Sequence, residues 1–395
     1  MTAVVDLEQE LLQSVRAVAR DVAAGNADEV DRRGRFPIET IDALREQGAL
    51  SAFVPVALGG GGVSFEVLAR CCLELGRACG ASAMVFAMHQ IQVVTLVRHL
   101  QSGSWFEHYL RELVSEQRLI ASVTSEVGTG GDMGRSVAAV TPADGQRLRF
   151  EKQAPTVSYG AYADDLLTTL RRSPEAEPGD QVATLTRRDQ NELEQTGTWD
   201  VLGMRGTCSP GYIVRAEFAP EQVLSTPFAR VASESMVPVS HVLWSHLWLG
   251  IAEDAFDRGR AFVRAAAKRA SGGTSSAQLP SAQRLSRLSS ELAMLRALVD
   301  SGLGQFLSCA DGPERERLST MGSILRFNNL KIAASEQAGE ICKGALDVCG
   351  IMGFKNDSPF SVGRHLRDTL SAPLMIANER IHQTNSSLLL IAKDV

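Results

Sequence analysis

The sequence predicts an α+β protein in three parts, helical at both ends and β-rich between them. Two observations carry that expectation. Apolar residues recur at three- and four-residue steps from about residue 5 to 120, and again from about 235 to the end. Between these stretches, residues 120 to 232 break into short β-branched or alternating runs separated by Gly, Pro, Asp and Asn. The expected parts are an N-terminal helical domain over 1–119, a middle antiparallel β domain over 120–233 and a C-terminal four-helix bundle over 234–395.

Each element has its own signal. LEQELLQSVRAVARDVAAG and PIETIDALREQG repeat apolar residues at helical spacing, and the second stops at Gly48. VPVALGGGGVS (54–64) is a glycine-rich loop with no Lys-Ser/Thr after it, so it lacks the pattern of a phosphate cradle. Ser64 caps FEVLARCCLELGRACG. SAMVFAMHQIQVVTLVRHL is almost wholly apolar and must be buried. It carries His89, a candidate catalytic residue beside Gln90. RLIASVT, SVAAVTPADGQRLRFEK, ADDLLTTLRR, DQVATLTRR and YIVRAEFAP read as strands. Segments 240–270, 281–310, 313–349 and 372–391 read as the bundle helices, with SGGTSSAQLPSAQ as a low-complexity loop between the first two.

Composition narrows the function. With 44% hydrophobic and 22% charged residues and a net charge of −6, no basic stripe marks a nucleic-acid surface. No apolar run reaches the roughly 18 residues of a membrane span, and the N-terminus lacks a signal peptide's basic region. Seven cysteines without CxxC spacing read as reduced, buried thiols in a cytoplasmic protein. Seven histidines show no metal-ligand spacing, so no metal site is expected.

Five strings, in order, resemble the acyl-CoA dehydrogenase family. They are GALSAFVPVALGGGGVS, ASVTSEVGTGGD, EKQAPTVSYGAYADDLL, WDVLGMRGTCSPGYIVRAEF and ALDVCGIMGFKNDSPFSVGRHLRD. The resemblance implies FAD held between the β domain and the bundle, with a neighbouring subunit of a homotetramer or homodimer completing the site. It places Ser122, Thr124, Ser125, Gly128, Gly131 and Thr156 on the flavin side. It places Arg269, Asp347 and Gly350 where they would serve a neighbour's flavin.

The same comparison exposes departures. The family's proton-abstracting glutamate falls on Ile376, counting from Asp368. Isoleucine cannot take a proton, and a dehydrogenase needs a base within hydrogen-bond reach of the carbon it deprotonates. Glu379, three positions on, and His241, near a second location the family uses, are the substitute candidates. Ala154 replaces a flavin-covering tryptophan, and Gly131 a phosphate-binding serine. Asp347 and Ile351 stand where a glutamine and a glycine are usual. Three functions follow: an acyl-thioester dehydrogenase with a displaced base, a two-component monooxygenase using FMN or another exchangeable reduced flavin, or a catalytically silent flavoprotein with a binding role. The substrate would be an acyl thioester or other small molecule, and the redox partner an electron-transfer flavoprotein or a flavin reductase.

Overall fold

The computed structural model describes residues 2–269, 280–309 and 312–391. Six helices open the chain: α1 (Thr2–Val18), α2 (Ala24–Arg33), α3 (Ile38–Glu46), α4 (Phe65–Ala78), α5 (Gly80–Arg98) and α6 (Trp105–Glu116). A single π-helical turn, Ala19–Ala23, joins α1 to α2. Gly34 then ends α2 in the left-handed conformation, at φ 61, as glycine does at helix C-termini. Helix α5 is buried on nearly every side, packed by α4, the C-terminal helices and the first strand. That burial explains why its sequence lacks a polar face. By length and hydropathy Gly80–Arg98 is apolar enough to cross a membrane, contrary to the sequence reading, but 89% of that window is inside the protein.

The middle domain holds β1 (Ile120–Val123), β2 (Thr141–Pro142), β3 (Leu148–Ala154), β4 (Asp165–Arg171), β5 (Gln181–Arg187), β6 (Asn191–Gln195) and β7 (Tyr212–Phe218). They form two sheets, ordered β1-β4-β5 and β2-β3-β7-β6. The expected all-antiparallel domain needs one correction, because β1 pairs parallel with β4, Ile120 opposite Asp165. Strand β6 was not anticipated. Its sequence NELEQ has no apolar alternation, since it lies at a sheet edge with most of its side chains exposed.

The C-terminal part holds α7 (Phe228–Val231), α8 (Val237–Arg269), α9 (Pro280–Leu307), α10 (Met321–Cys349), α11 (Ile351–Phe354), α12 (Gly363–Leu370) and α13 (Asn378–Leu389). The low-complexity loop lies largely outside the described residues, and its last residues, from Pro280, already belong to α9. The expected final helix over 372–391 is instead a turn over residues 371–377 followed by α13. Helix α8 is the central strut, packing on α10, α4 and α9. Its crossing with α4 is a backbone contact. A Cβ on Gly250 would sit 2.2 Å from the Leu73 carbonyl, and one on Gly76 would sit 2.4 Å from the Leu247 carbonyl. No side chain can move aside to relieve either clash.

Gly250→Ala therefore forces α4 and α8 apart, at a cost of about 1–3 kcal/mol or more. Gly322→Ala, in open space on α10, should be neutral or stabilising. Urea denaturation of the two variants checks the contrast; equal midpoints would refute the close crossing.

Candidate active site between the β domain and the C-terminal helices

A cavity of about 540 Å³ opens where the β domain, α5 and the C-terminal helices meet. Met84 and Met88 of α5 form one wall. Thr156 and Ser158, just after β3, form a second. The loop from Trp199 to Ser209 and the stretch from Arg367 to Ile376 close the rest. The loop is fixed by Asp368, a buried carboxylate on α12 that accepts the Met204 N–H at 2.7 Å. Burial raises the Asp368 pKa to about 6, against the opposing pull of Arg364. Three hydroxyls form a chain along the wall: Ser209 donates to Ser158 at 2.9 Å and lies 2.9 Å from Thr207. Sequence reasoning missed this chain, because its members are scattered single hydroxyls without a motif.

Of the residues assigned to a flavin by resemblance, Thr156 lines this cavity and Ser125 is bonded to it. Ser122 lies in β1, and Thr124 and Ser125 follow it. Ser125 Oγ donates to the Thr156 carbonyl at 2.6 Å, and the Thr156 hydroxyl lies 3.4 Å from it. The backbone N–H groups of Ser125, Gly128, Thr129 and Gly130 have no backbone partner among the described residues. Gly128 and Gly131 have φ of 92 and 84, which glycine adopts without strain. Below the loop, buried Glu126 accepts Ser136 Oγ at 2.7 Å and the Val137 N–H at 3.1 Å. It also faces Lys152 Nζ at 3.5 Å. Lys152 is itself fully buried and donates to the Thr169 carbonyl at 2.7 Å. This buried pair anchors the loop to β3 and to residues 136–138. Arg380 of α13 reaches across to the Gly130 carbonyl. Ala154 is fully buried in β3 and does not line the cavity.

None of the three candidate catalytic residues lines the cavity. Both ring nitrogens of His89 are committed: Nε2 lies 2.8 Å from the Leu50 carbonyl, and Nδ1 accepts the Ile120 N–H at 3.0 Å. Burial lowers its pKa to about 4. His89 is a brace between α5, the preceding loop and β1. His241 is buried in α8 with Nδ1 3.1 Å from the Phe327 carbonyl, and Nε2 has no partner among the described residues. Burial first, and the charge of Lys331 second, lower its pKa to about 3, so it stays neutral. Glu379 is exposed in the first turn of α13, away from the cavity lining. Arg269, Asp347 and Gly350 are exposed at the ends of α8 and α10 and do not line it either.

Ile376 does line the cavity, and its backbone is unusual. It has φ 46, a left-handed conformation that is a genuine outlier for a β-branched residue. Its carbonyl accepts Lys331 Nζ at 2.9 Å, and the same ammonium donates to Asn378 Oδ1 at 2.6 Å. Lys331 is fully buried and lies 6.0 Å from the Trp248 ring centroid. Burial lowers its pKa to about 7. The sequence gives no sign of this lysine's role, since one Lys in an amphipathic helix reads as a solvated charge.

Residues 6–117 match the family model of the acyl-CoA dehydrogenase N-terminal domain. The chain is 25% identical over 369 residues to cyclohex-1-ene-1-carbonyl-CoA dehydrogenase of Geobacter metallireducens, covering 91% of this chain and 92% of that one. This chain is acyl-CoA dehydrogenase-like. It is also 26% identical over 385 residues to a probable FMNH2-dependent monooxygenase, SfnC, of Pseudomonas putida, covering 93% and 92%. Butyryl-CoA dehydrogenase from Megasphaera elsdenii superposes with a TM-score of 0.79 at 18% identity, over 98% of each chain. The acyl-CoA dehydrogenase fold thus extends over the whole chain, and relatives with two different chemistries share it.

In this acyl-CoA dehydrogenase-like chain the turn bearing Ile376 rests on Lys331, which titrates near 7 when folded and near its ordinary 10.5 when unfolded. The unfolded chain therefore holds more protons between pH 7 and 10, and stability gained from this site rises with pH across that window. Lys331→Met should lower the slope of unfolding free energy against pH there by up to about 1.4 kcal/mol per pH unit. Denaturation curves of both proteins at pH 7, 8, 9 and 10 measure it; parallel slopes would show that Lys331 is not depressed.

Proposed function

We propose that this chain is a flavin-dependent monooxygenase of the two-component type, acting on a largely apolar small molecule. One observation carries the reading. The cavity lining contains no Asp, Glu, His, Lys, Cys or Tyr, and its single charged side chain is Arg367. Nothing there can take a proton from a carbon, as thioester dehydrogenation requires. Likeness to an FMNH2-dependent monooxygenase over most of both chains supports the same reading.

The donor set at the β edge fits a flavin. The free N–H groups of Ser125, Gly128 and Thr129 and the hydroxyls of Ser125 and Thr156 suit ring oxygens and nitrogens that gain negative charge on reduction. Bound reduced flavin would supply two electrons, so that one atom of dioxygen enters the substrate and the other leaves as water. The chain's own residues do the rest. Met84, Met88, Leu370, Leu374, Met375 and Ile376 hold an apolar body and exclude water. The Thr207–Ser209–Ser158 hydroxyls offer donors and acceptors for one polar group of the substrate. FMN taken reversibly from a reductase suits a loop with Gly131 in place of a phosphate-binding serine. Ile351 and Phe354, each 69% exposed beside Asp347 and Gly350, supply apolar surface for a dimer or tetramer.

A thioester dehydrogenase is the second reading, favoured by the likeness to cyclohex-1-ene-1-carbonyl-CoA dehydrogenase. Anaerobic mixing of flavin-loaded protein with a panel of acyl-CoA thioesters separates the two. The expected result is no bleaching of oxidised flavin, together with uptake of one labelled oxygen atom into an apolar sulfide or aromatic substrate when reduced FMN and ¹⁸O₂ are supplied. Bleaching by a thioester without oxygen would overturn the proposal. Thr156→Val and Ser125→Ala should each weaken FMN binding about tenfold, the loss of one buried hydrogen bond of about 1.4 kcal/mol. Fluorescence titration measures it.

A further inference from the structure

Next to the cavity, and sharing Val201, Leu202 and Arg367 with it, lies a polar groove of about 430 Å³. Arg32 and Asp28 of α2, Arg205, Asn356, Ser361 and Arg364 line it together with Asp31. Four arginines face two aspartates there. Asp31 is already bonded to Arg367, and its other carboxylate oxygen is buried away from solvent. Asp28 sits at the rim, 82% exposed.

Two independent features of the groove point to an oxyanion. The first is the N-terminus of α12. Its N-cap residue, Val362, gives no side-chain cap. The N–H groups of Gly363, Arg364 and His365 donate to no other described residue. A helix start with free N–H groups favours negative charge. At that point side chains converge: Arg367 Nη1 and Asn356 Oδ1 each lie 3.3 Å, and Ser361 Oγ 3.9 Å, from the position a Cβ on Gly363 would take. The second feature is Arg364. Its side chain is only 9% exposed; it feels the charges of Asp368 and Asp254, but its one hydrogen-bond partner among the described residues is the rim carboxylate of Asp28, through Nε at 3.2 Å. Neither terminal guanidinium nitrogen has a hydrogen-bond partner among the described residues, and the side chain lines the groove. A guanidinium presents its paired N–H groups to carboxylate or phosphate oxygens.

We propose that this groove seats an oxyanion, a carboxylate or a phosphate, at one end of the molecule whose apolar body fills the neighbouring cavity. The assignment rests on the cavity being the substrate site, and it narrows the substrate to an anionic one. Arg364 and Arg367 clasp the oxyanion, the α12 N–H groups and Ser361 complete its bonds, and Arg32 closes over it from α2. The Val201–Leu202 segment forms the sill between the two spaces.

The test needs neither flavin nor oxygen, so it can fail or succeed apart from the monooxygenase reading. Isothermal titration of the full-length protein, at fixed ionic strength, uses inorganic phosphate and acetate as probes, then octyl phosphate and octanoate. Whichever anion binds identifies the group. The octyl chain should tighten binding at least tenfold. Arg32→Gln should weaken the inorganic anion at least threefold, and Asn356→Asp, which sets a carboxylate at the convergence point, at least tenfold. Both residues are exposed, so both variants should fold. Met88→Trp, which fills the cavity, should remove the gain from the octyl chain and spare the inorganic anion. Absence of binding by both anions at concentrations up to about 10 mM would overturn the proposal. Binding indifferent to Asn356→Asp, or an octyl chain without effect, would overturn it equally.

Discussion

Helix α12 is where the three parts of the chain are tied together, and the tie is ionic. Asp368 accepts the backbone N–H of Met204 from the middle domain. Arg367 and Arg364 reach Asp31 and Asp28 of α2 in the N-terminal domain. Arg205 of the middle-domain loop donates to the Asp31 carbonyl at 2.8 Å. His365 is buried with Nε2 2.6 Å from Asp254 of α8. The eight residues of α12 thus reach all three parts of the chain and hold the Met204 loop at the cavity. Charges buried this way are costly unless each is paired. Raised to about 6 by burial, Asp368 is an acid kept ionised only by its neighbours.

Polar groups are buried close to the cavity, but all of them are spent on structure. Imidazoles and an ammonium lie in α5, α8 and α10, the helices from which a base would be drawn. His89 joins two backbone segments, His241 is held neutral, and Lys331 supports the Ile376 carbonyl. What faces the cavity is thioether, aliphatic and hydroxyl surface. Such a wall can bind and orient an apolar molecule and keep water from it. Ile376 is then a fitting element of that wall. Its left-handed backbone keeps the turn's path through the position while the side chain contributes only shape.

Much of the fold was legible from periodicity and turn residues, because those signals are local. The helix–sheet–helix order, the buried α5 and the long α8 to α10 all follow from spacing of apolar residues. The parallel pairing of β1 with β4 was not legible, since strand direction depends on where α6 delivers the chain. Nor was β6, whose polar edge sequence carries no alternation. For the site, the strings around Ser125, Thr156 and Asp368 were visible in the sequence as likenesses to family motifs. Lys331, Glu126 and the Thr207–Ser209–Ser158 hydroxyls were not. Their roles come from contacts between residues far apart in sequence, 45 positions for Lys331 to Ile376 and 51 for Ser158 to Ser209, and a lone Lys or Ser announces no such contact. The candidate catalytic residues lie off the cavity lining for a related reason. A titratable residue can be placed on the right helix by sequence, but which way it faces is decided by packing.

Those packing decisions also link the cavity to the arginine groove. Arg367 faces both spaces, so a charge bound in the groove acts on the cavity through one shared side chain. The guanidinium is already bound to Asp31. An arriving oxyanion would compete with that carboxylate, loosening the hold of α12 on α2 unless Arg364 takes the larger share. Arg364 has two unengaged nitrogens and sits deeper, so it is the better-placed partner, and Arg367 can keep its bond to Asp31 while turning one nitrogen to the ligand. On that division of labour the domain tie survives ligand binding. The oxyanion completes an arrangement that Asp28, alone at the rim, leaves half satisfied.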